Sequence, residues 1–550
     1  MDSWEGPSYS KDVSHFQSRN LPKTPQYDTP RTYYDAETAG VRAHFKAMAG
    51  DSLKVKIAVS YISVENAREN MNAECPHWDF NKVHAESRDV WNEWMGRIVV
   101  KGGTPSQQEK FYTDLLHVLM GRHKIDDFNG DYPDYTKGRL DGKFTRNLCF
   151  KKRTLPKDEN GNVKFHMYNS DAFWLSQWNL NVLWGLAWPE VLDDFAACLV
   201  QYAENGGLLP RGPNLGGYSY IMSSCPATNL ITSAYQKGML TKVSSELAYR
   251  KMVENHRGGG MIGSKEQIDA YEKLGYIPEN AGWTVEAAFQ DWALSQMAEK
   301  MGKKRDAAYY KKRSSGWEKL YNPQFKLLMP KNEDGTWMHD DPLSGSGWIE
   351  ANAWQGTWGI SHGLDRLADL MGGRDSMAYR LNYAFEQSDK DDFIHGYTQG
   401  YVSYANQPGC SNAHVFNRIG RGDLAQYWVR RVNEQTFGGC TPDRGYGGHD
   451  EDQGQMGGVS ALMSIGLFSV DGTCSLDPVY DITSPVFDEI IIKLSDQYYI
   501  GKEFKIHTEN NSKENYRILD CRLNGKPVDD FILKHSDFAK GGVLNLKLGK

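Results

Sequence analysis

Residues 189–207 read Pro-Glu-Val-Leu-Asp-Asp-Phe-Ala-Ala-Cys-Leu-Val-Gln-Tyr-Ala-Glu-Asn-Gly-Gly. Leu192, Phe195, Ala196, Leu199, Tyr202 and Ala203 recur at helical spacing, which predicts an amphipathic helix over 189–205. Gly206-Gly207 then offers the left-handed position that ends a helix. The same unit, a helical stretch and then a Gly-, Pro- or Asn-rich break, recurs from 106 to 470. Helices are predicted over 107–121, 173–186, 226–238, 242–255, 282–301, 303–316, 354–371, 375–388, 411–419, 422–434 and 454–466. Gly372-Gly373 and Gly420 close two of these in the same way. About twelve helices, with no strand-like stretches of comparable length, predict a mainly α protein, and their number suits a toroid of six helical hairpins. No fixed-period repeat is present, which argues against a solenoid.

The flanks have a different pattern. Residues 1–40 are rich in Pro, Ser, Tyr and charge and read as a loose polar arm. Leu53 to Tyr61 alternates and is rich in Val and Ile, which predicts a strand. Amphipathic stretches follow at 63–74, with Ser63 as N-cap, and at 81–95. A short strand is predicted over 97–100. After 475, strands are predicted at 490–494, 504–507 and 543–548, and Asn524-Gly525 is a hairpin turn signal. The expected organisation is a polar arm and β remnant over 1–61 and a helical linker over 62–105. A helical toroid over 106–470 and a small β domain over 471–550 complete it.

Composition narrows the function. Lys+Arg is 63 against Asp+Glu 70, a net charge of −7, so nothing favours nucleic acid or an anionic membrane as a partner. No apolar run reaches the roughly 18 residues of a membrane helix, and Met1–Gly40 contains no signal-peptide apolar core. The eight cysteines include no CxxC pair. Aromatic residues make up 12%, including 16 Trp and 30 Tyr. Flat apolar faces with polar edges suit sugar rings as well as a large core.

Four segments carry candidate chemistry. In Trp348-Ile349-Glu350-Ala351-Asn352-Ala353-Trp354-Gln355 one carboxylate sits between two tryptophans. Apolar neighbours disfavour a charged carboxyl, which suits a general acid; a Glu beside a helix N-terminus is the plainer reading. In Asp450-Glu451-Asp452, next to glycines, Asp450 and Asp452 share a side if the backbone is extended. Such a pair orients a water, binds a hard cation, or is simply a solvated turn. Asn406-Gln407-Pro408-Gly409 is amide-rich, fit for sugar hydroxyls, for Ca²⁺ or for capping the next helix. Asp171 stands at a predicted helix start, where Asp is an ordinary N-cap. The glycines at 216–217 lack the context of a phosphate loop.

Taken together and in order, these segments resemble glycoside hydrolase family 92, the Ca²⁺-dependent exo-acting α-mannosidases. The resemblance runs from about residue 50 to 550. It is carried by Val59-Ser60-Tyr61-Ile62-Ser63-Val64-Glu65-Asn66-Ala67, Phe111-Tyr112-Thr113 and Glu350-Ala351-Asn352-Ala353-Trp354-Gln355. It continues through Asp450-Glu451-Asp452-Gln453-Gly454-Gln455-Met456, Tyr480 to Phe487 and Leu523-Asn524-Gly525-Lys526-Pro527. It implies a β-sandwich, a helical linker, an (α/α)₆ toroid and a small C-terminal β domain, of which only the last sandwich strands fit before residue 61. It implies inverting hydrolysis of terminal α-mannosides of glycans, with Glu350 as acid and Asp450 and Asp452 activating water. Inversion asks for the carboxyls to stand about 6.5–9.5 Å apart.

By the same resemblance Asp171, Trp354, Asn406 and Gln407 would touch the sugar, and Asp452 and Gln407 would lie at the Ca²⁺. A periplasmic or secreted location is implied, and oligomeric state is not. The chain departs from the family in two motifs. Asp171 keeps its place without the family's Trp and Arg neighbours, and Gln407-Pro408-Gly409-Cys410-Ser411 replaces an acidic, His-containing loop. The resemblance therefore carries no linkage preference. Two further readings remain open at this stage: a mannose-binding homologue without catalysis, and an exo-glycosidase for another α-linked sugar.

Overall fold

The computed structural model describes the backbone of the paired strands Asp2–Glu5 and Ala39–Arg42, and residues 48–136, 150–170, 173–446 and 451–550. The chain divides into two compact units. The smaller contains residues 1–88, 124–169 and 214–218; the larger contains 89–123, 170–213 and 219–550.

In the smaller unit the helix Val64–Glu74 starts at Ser63, whose Oγ accepts from the Asn66 amide at 3.1 Å, as predicted. Asn66 Nδ2 donates to Asp127 Oδ2 at 2.8 Å and Asp131 Oδ2 at 3.1 Å, and Ser60 Oγ donates to the same Asp127 oxygen at 2.7 Å. The polar residues of the 59–67 motif thus serve to hold two aspartates at a hairpin, Asp131–Asp134 with Lys151–Thr154. The strand predicted over 53–61 does not form. Its backbone pairs with no described strand, and Leu53, Val55, Ile57 and Val59 are 61, 69, 85 and 75% exposed. Alternation alone does not make a strand without a ladder to join.

In the larger unit, α1 (Pro105–Met120) opens the helical body with a capping box, Thr104 with Gln107. The quoted stretch forms α2 (Pro189–Gly206), and Gly207 ends it at φ 95°. All six residues of its predicted apolar face are buried. Part of its polar side is buried too: Asp193 accepts from the amides of Thr241 at 2.9 Å and Lys242 at 3.1 Å, and Asp194 pairs with the Lys242 ammonium, while Glu204 stays exposed. The helix is therefore largely enclosed rather than amphipathic. α3 (Ala281–Lys300) packs against Lys304–Arg313 and Pro226–Gln236. α4 (Gly422–Gln435) packs on Asn412–Arg418, and α5 (Gln455–Ile465) is wholly buried.

α5 packs against α1, so the last helix of the body meets the first, as a closed (α/α)₆ ring requires. Asp114, fully buried on α1, joins the two. It accepts from Ser460 Oγ of α5 at 2.6 Å and Tyr446 OH at 2.8 Å, and pairs with the Lys110 ammonium. A Cβ at Gly457 of α5 would press on the α1 backbone at Asp114, so glycine permits this approach.

Two predicted helices are broken. The stretch 173–186 begins as a short 3₁₀ turn, Ser176–Trp178, and continues as Leu180–Ala187. The stretch 354–371 becomes Ala353–Gly356, two 3₁₀ turns and Leu364–Met371; Gly356, Gly359 and Gly363, poor helix formers, stand in the interrupted part, and a Cβ at Gly356 or Gly363 would meet the Trp348 or Trp317 ring. The helix Lys265–Leu274 was not predicted, although Ser264, Gln267 and Gly275 form its capping box and C′ residue.

The C-terminal sheet has six strands: β1 (Ile98–Lys101), β2 (Glu489–Lys493), β3 (Glu503–Glu509), β4 (Arg517–Leu523), β5 (Lys526–Pro527) and β6 (Gly542–Gly549), in the order β5-β4-β6-β3-β2-β1. The predicted strand near 98 is thus the edge of a sheet whose other strands lie almost 400 residues later, with Ile98 opposite Ile492. Asn524 and Gly525, at φ 49° and 82°, make the predicted turn. No helix among the described residues is long and apolar enough to cross a membrane.

The ring closure predicts that Asp114→Ala, which takes the shared acceptor from Ser460, Tyr446 and the partly buried Lys110, lowers unfolding free energy by about 2–4 kcal/mol. Urea unfolding of both proteins at pH 7 checks this, and a change below about 1 kcal/mol would remove Asp114 from that role.

Candidate active site

Glu350 precedes the short helix Ala353–Gly356 at φ 48°, a left-handed conformation that a glutamate adopts only where its surroundings enforce it. The enforcement comes from Asn352. Its Oδ1 caps the helix through the amides of Trp354 at 3.0 Å and Gln355 at 3.2 Å, while its Nδ2 donates to the carbonyls of Thr398 and Gly400, both at 2.9 Å. Gln355 Nε2 donates to the Gln399 carbonyl. The amides of the motif therefore clamp the loop at 398–400, and the carboxylate is left to project.

The loop at 404–412 supplies its counterpart. Asn406 is extended, and a 3₁₀ turn, Gln407–Gly409, follows. Only glycine fits at 409, where a Cβ would enter the Ser403 carbonyl. Asn406 Nδ2 donates to Glu350 Oε2 at 2.9 Å. Its neighbour Gln407 donates through Nε2 to Asp452 Oδ2. Two consecutive amides thus each hold one of the predicted carboxylates. Gln407 Oε1 is buried without a hydrogen-bond partner.

Asp452 and Gln453 also have left-handed backbones, at φ 57° and 55°, and Gly454 follows at 96°. The extended geometry expected for 450–452 does not hold at Asp452. Glu451 turns away from the site. Its carboxylate accepts from the amides of Gly454 at 2.8 Å and Gly457 at 3.1 Å, capping α5, and it lies 3.1 Å from His117 Nδ1. That contact raises the His117 pKa above its ordinary value. The acidic triplet is therefore divided, with its middle member structural. Asp450 and Asp171 lie outside the described residues.

Trp354 is packed rather than open. Arg380 lies over its ring at 4.0 Å, and Tyr401 meets it edge-on at 4.9 Å. Among the described residues no three His, Cys, Asp or Glu side chains gather as metal ligands. The donors at hand are oxygens, the Asp452 carboxylate and the unpartnered Gln407 carbonyl, which is the chemistry a hard cation prefers.

Sequence reading missed Glu286. It is buried on α3 and lines a cavity of about 30 Å³ with Trp174, Trp348, Ile349, Gln290 and Pro408. Two of these wall residues are chain neighbours of Glu350 and Gln407. Ser223 Oγ donates to Glu286 Oε2 at 2.7 Å, and burial pushes the carboxyl up to about 7. The available signal was a lone acid in the helical run Thr284-Val285-Glu286-Ala287-Ala288.

The sequence pattern of the glycosyl hydrolase family 92 catalytic domain matches residues 66–550. This chain belongs to glycosyl hydrolase family 92. A family 92 α-mannosidase of Bacteroides thetaiotaomicron superposes with a TM-score of 0.77 at 22% identity, covering 89% of this chain and 61% of that one. The same mannosidase in complex with mannoimidazole gives 0.77 at 21%. A family 92 inverting mannosidase of that organism gives 0.73 at 25%, over 89% of this chain and 65% of its own. An uncharacterized secreted glycosidase of Arthroderma benhamiae is 23% identical over 93% of this chain and 63% of its length. The family 92 chain described here thus spans less than two-thirds of the length of these relatives.

The buried Glu286 predicts a pH signature. A free glutamate ionises near 4.5, but this one holds its proton to about 7 when folded. The folded state therefore binds the proton more tightly, and stability falls as pH rises from about 4.5 to about 7. Glu286→Gln removes that loss. It is expected to gain up to about 3 kcal/mol over the native chain at pH 7.5 and almost nothing at pH 4.5. Thermal melts of both proteins across that range provide the check; a gain independent of pH would refute it.

Proposed function

We propose that this chain is a Ca²⁺-dependent, inverting exo-α-mannosidase that removes terminal α-mannose from glycans. The observation that carries the reading is the pair of adjacent amides, with Asn406 on Glu350 and Gln407 on Asp452. It gathers an acid candidate, a base candidate and a polar loop into one place, in a chain of family 92. The mannosidase activity of its solved relatives and the mannoimidazole bound to one of them support the choice of sugar.

In this reading Glu350 acts as general acid. Asn406 donates to one carboxylate oxygen, Oε2, which leaves Oε1 to carry the proton toward the glycosidic oxygen. As that oxygen takes the proton, its bond to the anomeric carbon breaks. A water on the opposite face of the ring bonds to that carbon and gives a proton to Asp450 or Asp452, so the configuration inverts. Gln407 fixes the Asp452 carboxylate for this task through its Nε2 donor. Asp452 and the Gln407 carbonyl would hold Ca²⁺, whose chemistry when bound is to grip vicinal sugar hydroxyls and favour ring distortion. Asp171 is assigned to the sugar by the same reading. A periplasmic or secreted location belongs to the same reading, and the secreted relative supports it.

Two experiments test the proposal. Glu350→Gln is expected to lower kcat/KM on alkyl mannosides by about 10²–10⁴-fold, and on aryl mannosides with good leaving groups by much less. Equal losses on both would end the acid assignment. Mannose release from α-linked oligosaccharides should stop with excess chelator and return with Ca²⁺, and Gln407→Ala should raise the Ca²⁺ needed for half-maximal rate. Chelator-resistant release would remove the metal from the mechanism. Mannose binding without release would leave a lectin-like role.

A further inference from the structure

A second cavity, of about 690 Å³, lies where α4 and α1 meet the C-terminal sheet region. This volume falls within the ~300–1,000 Å³ of small-molecule sites. Tyr427, Arg430, Arg431 and Glu434 of α4 line it, and their spacing of three, four and seven residues puts them on one helix face. Asn511, Lys513 and Tyr516 face them from the sheet region. No residue of the Glu350–Asp452 cluster contributes.

Four cations line this cavity, and three have carboxylates. Lys110 is on Asp114, Arg431 is on Asp389 at 2.8 Å, and Lys513 is on Glu434. Arg430 has none. Its Nη2 donates to Asn511 Oδ1 at 2.6 Å and to the Ser512 carbonyl at 2.9 Å, both neutral acceptors. Its Nε and Nη1 donors take no partner among the described residues. Burial lowers its pKa to about 10, an effect that the more distant Glu434 and Asp488 only partly offset. A sequestered cation is ordinarily paired. Beside it stand the rings of Tyr427 and Tyr516, with centroids 5.4 Å apart and tilted by 56°. The Asn433 and Asn511 amides line the cavity too, but their Nδ2 donors are used on Ser460, Ser464 and Val486. Ring faces are sugar-binding surfaces, and a guanidinium with free Nε and Nη1 donors and no ion-pair partner suits an anion.

We propose that this cavity is a saccharide site for a sugar unit bearing one anionic group, phosphate or carboxylate, with the anion on Arg430 and the ring against Tyr427 and Tyr516. The site is independent of the mannosidase reading. It gives the chain a hold on a charged unit of a glycan apart from the residue being cleaved.

Isothermal titration with glucose 6-phosphate and glucuronate, against glucose and inorganic phosphate, tests it on the whole chain. Gluco sugars keep the mannose site out of the readout. Saturable binding of one or both charged sugars is expected, at least tenfold tighter than that of glucose or phosphate. The tighter of the two identifies the anionic group. Arg430→Gln should weaken that binding at least tenfold and Tyr516→Ala severalfold, with circular dichroism and melting curves confirming folded variants. Glu350→Gln should leave the binding unchanged. Equal binding by Arg430→Gln, phosphate binding as tightly as the sugar phosphate, or no saturable binding would each overturn the proposal.

Discussion

The helical ring closes on one buried carboxylate. Asp114 sits on the first helix of the body and accepts from Ser460 on the last, with Lys110 and Tyr446 as further partners. A charge fully removed from water is tolerable only where such partners surround it. These partners come from positions 110, 446 and 460, so the network forms only when both ends of the ring have folded. Asp452 stands at the turn into α5, a few residues before Ser460. Closing the ring and placing a site carboxylate are therefore one event. Glu451 strengthens the link by capping α5 while meeting His117 of α1.

From that seam the site is built by amides rather than by opposing charges. Asn352, Gln355, Asn406 and Gln407 are nearly buried, and each spends its donors on a carbonyl or a carboxylate. An amide holds a carboxylate without neutralising it, whereas an Arg or Lys would tie it into an ion pair. Both gripped acids, Glu350 and Asp452, lie on left-handed backbone. Such conformations cost about 1–3 kcal/mol each and persist only where the surroundings over-determine them. The clamps from Asn352 and from the Glu451 cap are those surroundings.

The sequence made the helical body readable because helical period and glycine stops are local signals. The C′ glycine at 207 and the Asn524-Gly525 turn stand where they were expected. Non-local features were not readable. The exposed run 53–59 alternates like a strand but finds no described partner, and the strand at 98 finds its partner at 492. The predicted helix 354–371 is interrupted around Gly356, Gly359 and Gly363, where Trp348 and Trp317 leave no room for a Cβ at Gly356 or Gly363, contacts no periodicity reports. At the site, Glu350, Asp452, Asn406 and Gln407 were each singled out and are brought together. Which of three consecutive acids would turn inward as a helix cap was not visible, because all three are carboxylates and only the backbone twist separates their surroundings.

That twist also bears on the proposed cation. Three successive left-handed residues, 452 to 454, reverse the chain sharply enough for Glu451 to reach the amides of Gly454 and Gly457. Asp452 is left facing Gln407, whose Nε2 is used on the carboxylate and whose Oε1 is buried without a partner. A buried carbonyl oxygen left unpaired costs about 1–3 kcal/mol. The chain does not recover that cost through any described donor, and a hydroxyl or a hard cation would. An acid in place of Gln407 would set two carboxylates against each other beside the same turn, and their repulsion would make the site's integrity depend on the cation. With the amide, the hydrogen bond from Nε2 holds Asp452 without needing the proposed ion.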